Sequence, residues 1–409
     1  MDQAAPDPAP RTSTFASLAL PQFRLLLAGT ALSQIADWMN EVARGWLVLQ
    51  LTDSPFQLGL LGFIRGISQL VFSPAAGVMA DRLDRRQLAA ITQTVPALTT
   101  LGIGVLISAG EVQMWHLYIF GVISGISGSI NHPTRQILVY DVVGGDKITN
   151  AVALNSVTSN LARIVAPSVG GVLIGVTGIA ASYYAQSAFF ALATFATLML
   201  HPQTHAEPMR APVWESLRDG MAYVRGDPTV ARLVLLNAIP NLLIYPYVSM
   251  MPIFAEDVLG AGSAGYGLLL TGVGFGSIPG GLFVARMQPG PGKGRTMAFA
   301  ALLYMGMVAL FALSTVFPVS FVILIVAGVG WVTMVTLNQT LLQLNVEDVY
   351  RGRVLSLYTM AGGFTPFGNL AMGFSAGEFG VQATVAVFAL AGFALAAMLG
   401  LGSARVRRL

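Results

Sequence analysis

The placement of lysine and arginine constrains this chain more than any other feature. Twelve apolar runs fill most of its 409 residues, at about 22–51, 57–80, 88–109, 114–134, 149–175, 179–200, 230–256, 264–286, 296–316, 319–341, 353–376 and 382–403. Each approaches or exceeds the ~20 residues that a helix needs to cross a hydrocarbon core. Arg82, Arg85 and Arg86 fall between runs 2 and 3, and Arg135 and Lys147 between runs 4 and 5. Arg210, Arg218, Arg225 and Arg232 surround the gap between runs 6 and 7. Arg286, Lys293 and Arg295 follow run 8, Arg351 and Arg353 follow run 10, and Arg405, Arg407 and Arg408 follow run 12. Arg11 and Arg24 precede or open run 1. The alternate gaps hold no cation and carry Asp53, Glu111, Glu256, Asp257 and Glu378 instead. Cation-rich loops stay on the cytoplasmic side. The pattern therefore predicts twelve transmembrane helices with both termini cytoplasmic, because a different count would scramble the alternation.

Composition excludes the main rivals. Charged residues make up 10% of the chain and hydrophobic residues 55%, whereas soluble domains carry about 25% charged residues. A membrane barrel would show ~10-residue segments of alternating polarity, and none is evident. The net charge of +3 is distributed as a topology signal, so no nucleic-acid partner is expected. There is no cysteine, which removes disulfides, thiolate chemistry and cysteine-ligated metals. His116, His132, His201 and His205 form no metal constellation with acids, and no phosphate-binding Gly-x-x-x-x-Gly-Lys-Ser/Thr loop is present. No nucleophile–base arrangement stands out. The chain is expected to be no enzyme and to need no cofactor. Residues 1–20 lack the apolar core of a cleaved leader.

The polar interruption at 201–229 divides the runs six and six. This gives an N-terminal tail (1–21), a first bundle (22–200), a cytoplasmic linker, a second bundle (230–403) and a short tail (404–409). Val213, Leu217 and Met221 recur every fourth residue beside Trp214, which predicts a short amphipathic helix in the linker.

The stretch from Gly77 to Arg86 packs five charges into one turn between runs 2 and 3. Its pattern, Gly-x-x-x-Asp-Arg-x-x-Arg-Arg, resembles the signature loop between the second and third helices of the major facilitator superfamily. Gly77, Asp81, Arg82, Arg85 and Arg86 match, and Asp84 stands where the pattern carries glycine. Asp37-Trp38-Met39, His132-Pro133-Thr134-Arg135 and Arg351-Gly352-Arg353-Val354 extend the resemblance to the exporter branch that includes enterobactin and macrolide efflux proteins. Ala166-Pro167-Ser168-Val169-Gly170-Gly171 is similar to the Gly-Pro-x-x-Gly-Gly motif of superfamily exporters, with alanine in the first glycine's place. The resemblance implies two pseudo-symmetric six-helix bundles around a central cavity lined by helices 1, 4, 7 and 10. It implies a monomer in a bacterial inner membrane, with the loop acidic and basic residues latching the bundles on the cytoplasmic side. An ordinary basic loop is the alternative for Gly77–Arg86. Generic small-residue packing is the alternative for Pro167, Gly170 and Gly171.

Run 1 holds the most informative helix. At 100° per residue, Thr30, Ser33, Gln34, Asp37, Asn40, Glu41 and Arg44 fall within about 60° of one line. A polar stripe on a membrane span faces water or partner helices. Asp37 lies ~21 Å along the helix from Phe23 at 1.5 Å per residue, and Arg163 lies at a similar depth on run 5. The depths suggest an Asp37–Arg163 pair. Glu41 is within reach of Arg44 on its own helix and of Arg65 on run 2. A carboxylate in a low-dielectric cavity holds its proton, and an approaching arginine strips it, so Asp37 or Glu41 is a candidate proton carrier. A permanently ionised structural network is the alternative. Two acids against three arginines hint at tolerance for an anionic cargo. Further cavity candidates are Asn131 on run 4, Asn237, Asn241, Tyr245 and Tyr247 on run 7, and Trp331, Asn338 and Gln339 on run 10. The function expected is proton-driven export of a small amphipathic compound, such as a drug, macrolide-like molecule or siderophore, with protons and membrane lipids as the other partners. The alternatives are a metabolite importer or facilitator, a lipid flippase, or a non-transporting receptor on the same fold.

Overall fold

The computed structural model describes residues 16–201, 213–288 and 290–409, and these are helical almost throughout, with no strand among them. Six long helices fill the first half: α1 (Pro21–Thr52), α2 (Pro55–Arg82), α3 (Arg85–Ala109), α4 (Met114–Val143), α5 (Ile148–Thr177) and α6 (Ile179–Leu198). A helix α7 (Val213–Gly226) follows, and α8 (Pro228–Ile239) and α9 (Tyr247–Ile253) form one broken rod. Then come α10 (Gly262–Ala285), α11 (Lys293–Leu313), α12 (Phe317–Asn345), α13 (Asp348–Met360), α14 (Thr365–Phe379), α15 (Val381–Ala396) and α16 (Ala404–Arg408). Eight helical segments among the described residues are long and apolar enough to cross a membrane. α1 and α4 are 32 and 30 residues long but are not among the eight. Both carry polar and ionised residues along one side. Large apolar side chains lie bare on the outer surface: Val176 is 78% exposed, Leu313 67% and Phe195 63%. Such a surface suits lipid rather than water.

Short turns join most successive helices, so neighbours run antiparallel. One end of the rods therefore carries Arg82, Arg85, Arg86, Lys147, Lys293 and Arg351 (the basic end), and the other Asp53, Glu111 and Glu378 (the acidic end). Asp84 explains its own presence in the signature turn. Its carboxylate accepts the Gln87 backbone N–H at 3.0 Å and caps α3.

Proline breaks the rod formed by α8 and α9. Pro240, Pro246 and Pro252 lack the N–H that an α-ladder requires, and their rings crowd the preceding turn. The ladder slips instead: the Tyr245 N–H reaches the Pro240 carbonyl at 2.7 Å in a π-turn over Pro240–Ile244. Gly362 and Gly363 lie in a 3₁₀ turn, Ala361–Phe364, that separates α13 from α14.

Two close crossings tie the first six helices to the later ones. α5 crosses α10 where Gly171 faces Gly267, and α2 crosses α14 where Gly59 faces Gly373. A Cβ on Gly171 would lie 3.1 Å from the Gly267 Cα, and one on Gly59 2.8 Å from the Gly373 Cα. Backbones this close need glycine on both sides. Hydrogen bonds reinforce the α5–α10 crossing. Thr271 donates to the Ile164 carbonyl at 2.8 Å, Ser263 donates to the Gly171 carbonyl at 3.1 Å, and the Ser168 and Thr271 hydroxyls meet at 2.6 Å. Gly45 of α1 packs against Pro252 and Tyr266. These contacts lie toward the acidic end. Toward the basic end residues 71–75 of α2 are exposed, and a Cβ on Gly77 would meet nothing within 4 Å among the described residues.

Candidate functional site

A cavity of about 890 Å³ lies among α1, α2, α3, α4, α5, α6, α9, α13 and α14. Its walls include Gln34, Asp37, Glu41, Arg44, Arg65, Asn131, Arg135 and Tyr245. The glycine crossings and the Gly45 contact bound it toward the acidic end, and Ser73, Gln136, Asn155 and Thr359 carry its wall toward the basic end.

The polar stripe of α1 forms one wall, and each acid on it has a different setting. Glu41 is clamped: its Oε2 accepts from Arg44 at 2.7 Å and from Arg65 at 3.0 Å. Arg44 is nearly buried, with its side chain 7% exposed, and Arg65 arrives from α2. Asp37, one turn toward the basic end, faces the cavity and has no cation within 4 Å among the described residues. It lies in the field of Arg65 and Arg135 without touching either. The expected Asp37–Arg163 pair does not form. Arg163 lies over the Trp38 ring instead, 5.8 Å from its centroid, a cation–π contact. Matching depth on two helices does not fix the direction in which each side chain points.

Sequence position puts Arg135 in a loop between runs 4 and 5, and the structure corrects this. Pro133 does not end α4, which runs on to Val143. Arg135 therefore projects from the helix into the cavity wall. Its guanidinium donates to Thr30 Oγ1 at 2.6 Å, to Ser33 Oγ at 3.1 Å and to the Leu26 carbonyl at 3.4 Å. No carboxylate lies within 4 Å of it among the described residues. A basic residue two positions after a mid-helix proline is the signal that could have found it.

The other polar candidates divide. Gln34 lines the cavity and reaches Ser159 of α5 at 3.3 Å. Asn40 and Asn131 also line it, bonded to Gln186 and Thr92 at 2.9 Å each. Tyr245 lines it beside Trp331, with ring centroids 5.9 Å apart. Trp331 itself lies behind the wall, packed on Tyr304, and Tyr247 is buried. Asn237 and Asn338 are not cavity residues. They are buried and donate to the Tyr358 and Leu233 carbonyls at 2.9 and 3.1 Å. Asn241 donates to the Asn237 carbonyl off the wall, and Gln339 is exposed elsewhere. Hydrogen bonding to a neighbour's backbone accounts for the two buried asparagines, since an unpaired amide in the core is costly.

Pro167, Gly170 and Gly171 lie at the helix crossings. Gly170 faces Met39 of α1, Gly171 faces Gly267, and the Pro167 carbonyl abuts Gly267. In the signature turn, Arg85 pairs with Asp141 of α4 at 3.0 Å, with side-chain exposures of 11% and 2%. Arg82 is exposed, and Nε of Arg86 is buried without a partner among the described residues. The side chain of Asp81 lies outside the described residues. Arg85→Ala is expected to cost about 3 kcal/mol, because it leaves the Asp141 charge buried and uncompensated. The midpoint of thermal unfolding in detergent should fall by several degrees, and Arg85→Lys should recover part of the loss; an unchanged midpoint would show the pair to be dispensable.

Among the described residues no group of His, Cys, Asp and Glu is arranged to hold a metal. The arrangement offers a charged compartment of the size of a small organic molecule.

Comparison with known proteins agrees with this geometry. The staphyloferrin A transporter of Staphylococcus aureus is 24% identical over 357 residues, covering 87% of this chain and 90% of that protein. The enterobactin exporter EntS of Shigella boydii is 24% identical over 348 residues, covering 83% and 81%. Among solved structures, a bacterial homologue of the human lysosomal transporter Spinster, inward-facing and occupied, superposes with a TM-score of 0.76. It shares 14% identity, with 97% of this chain and 99% of that one covered. The nucleoside transporter NupG gives a TM-score of 0.72 at 16% identity, covering 93% and 98%. The family model described as transmembrane secretion effector matches residues 12–407. With that match spanning nearly its whole length, the chain belongs to the transmembrane secretion effector family of the major facilitator superfamily, whose members are transporters and not enzymes.

Proposed function

We propose that the protein is a proton-coupled exporter of small amphipathic compounds, working by alternating access between two six-helix bundles in a bacterial inner membrane. Twelve spans, with both termini cytoplasmic, follow from the alternation of basic and acidic loops. On that topology the basic end is cytoplasmic, and the cavity described above opens inward. The Gly171–Gly267 and Gly59–Gly373 crossings form the outer seal. The residues from Gly77 to Arg86 serve as the inner latch. The monomer suffices, because the cavity lies within one chain.

The observation that carries this reading is the contrast between the two acids of α1. Glu41 is neutralised by Arg44 and Arg65. Asp37 stands in the cavity without an ion pair among the described residues, within the field of two arginines on other helices. All three helices belong to the first bundle, so the coupling works through small shifts of α2 and α4 against α1 as the bundles rock, which change the distance of those arginines and with it the carboxylate's hold on a proton. Export rather than import is supported by the likeness to the enterobactin exporters and by the motif over Pro167, Gly170 and Gly171. A siderophore cargo is supported by the names of the two curated relatives.

The test uses purified protein in liposomes with a trapped pH-sensitive dye and a panel of cationic drugs, macrolides and siderophores. Proton flux that depends on one compound, runs against it, and disappears in the Asp37→Asn/Glu41→Gln double variant is the expected result. Transport without proton movement would make the protein a facilitator or couple it to another ion. Cargo and protons moving the same way would make it a symporter.

A further inference from the structure

The cavity holds more cation than its acids consume. Arg44, Arg65 and Arg135 face Asp37 and Glu41 across one compartment, leaving one positive charge in excess. Arg44 and Arg65 share the single acid Glu41, and among the described residues Arg135 has only hydroxyl and carbonyl partners, all on α1. Hydroxyls do not neutralise a guanidinium. Three buried guanidinium nitrogens of this lining also lack an acceptor among the described residues: Nε of Arg135, Nε of Arg65 and Nη1 of Arg44. A guanidinium presents its N–H groups as a planar fork that suits an oxyanion. His132, also on the cavity wall, lies in the field of both Arg65 and Arg135.

We infer that the wall between Arg135 and Arg65 is an anion subsite, and that it takes a carboxylate or similar oxyanion carried by the cargo. This rests on reading the cavity as the cargo site and not on the proton step. One oxyanion brings the lining to neutrality with Asp37 and Glu41 both ionised. The apolar body of the cargo then lies against Trp38, Phe120 and Tyr245, which line the same cavity. The split between Asp37 and Arg135, which form no ion pair with each other or with any other charge among the described residues, follows from this assignment. Asp37 is set one turn from Ser33, to which Arg135 donates, so no resident acid neutralises that guanidinium.

The test is isothermal titration calorimetry on the purified full chain with three probes of one shape: 1-naphthoate, 1-naphthalenemethanol and 1-naphthylmethylammonium. Naphthoate should bind at least tenfold tighter than the alcohol, with the ammonium weakest, since a charge-assisted hydrogen bond is worth about a factor of ten or more. Arg135→Gln should remove the preference, and Arg135→Lys should restore part of it. Arg135 also ties α4 to α1, so Arg65→Gln serves as a second variant; it should weaken naphthoate binding more than alcohol binding. Equal affinities, or a preference for the ammonium, overturn the anion subsite and leave the cavity as a cargo site. A naphthoate preference untouched by both folded variants overturns its assignment to these arginines. Inorganic phosphate binding as tightly as naphthoate overturns the cargo assignment in favour of a free anion. Failure of all three probes to bind overturns the subsite together with the transport reading of the cavity.

Discussion

Gly171→Leu is expected to abolish transport and to leave the cavity open at the acidic end. A Cβ on residue 171 would lie 3.1 Å from the Gly267 Cα and 3.2 Å from its nitrogen. Both are backbone atoms of α10, held in an α-ladder and unable to swing aside as a side chain would. A leucine must therefore push α5 away from α10 and break the Ser263–Gly171 hydrogen bond. Overpacking of this kind costs roughly 1–3 kcal/mol, and more where backbone is the obstacle. Only the conformation with this crossing closed bears the cost, so the equilibrium moves toward the opposite-facing state. A cost of about 3 kcal/mol moves it by about a hundredfold. The readout is clean because the chain has no cysteine of its own. In a Ser249→Cys background, the single thiol on the cavity wall should react with a membrane-impermeant reagent from the basic end in the parent and from the acidic end in the Gly171→Leu variant. Gly377→Leu is the control: a Cβ there meets nothing within 4 Å among the described residues, and transport should be normal. Unimpaired turnover by Gly171→Leu would mean that the α5–α10 crossing is not part of the gate.

How much of this is legible in the sequence depends on which physical signal each residue sends. The α1 stripe is readable because seven polar residues at helical spacing on a membrane span leave few alternatives, and the clamp on Glu41 follows from i,i+3 geometry and depth. Depth fails for Asp37 and Arg163, since it fixes height on a helix but not azimuth relative to a neighbour. Arg135 escapes a sequence reading because Pro133 looks like a helix end. Within a membrane a proline is tolerated mid-helix when its neighbours supply the lost contacts, and α4 continues for ten residues beyond it. Asn237 and Asn338 pass for cavity residues because an amide that pins a neighbouring backbone and one that greets a ligand look the same in sequence. The slipped ladder over Pro240–Ile244 is written in the proline spacing, whereas the pairing of Gly171 with Gly267 needs the helix order in space.

Asp37→Asn and Glu41→Gln, four residues apart on one helix, are expected to fail in opposite ways. Glu41 accepts from two arginines, and Arg44 is almost entirely buried. Replacing its carboxylate by an amide strands both cations. Breaking a buried pair in this way costs about 3–5 kcal/mol. Arg65 is 37% exposed within the cavity, so water recovers part of the loss and about 3 kcal/mol is the better figure. The Glu41→Gln protein should unfold at a clearly lower temperature, and its transport should be weak at every pH. Asp37 has no ion pair to lose among the described residues, so Asp37→Asn should shift the unfolding midpoint little. Its effect falls on function. An amide cannot take or release a proton, so flux driven by an imposed proton gradient should drop at least a hundredfold. Cargo exchange at equal pH on both sides should persist, and the pH dependence of transport should flatten. Thermal unfolding in detergent and flux in dye-loaded liposomes, run side by side on both variants, separate the two roles. If Asp37→Asn keeps full proton-driven transport while Glu41→Gln folds normally and loses it, the proton carrier is Glu41, and the arginine clamp must open during the cycle.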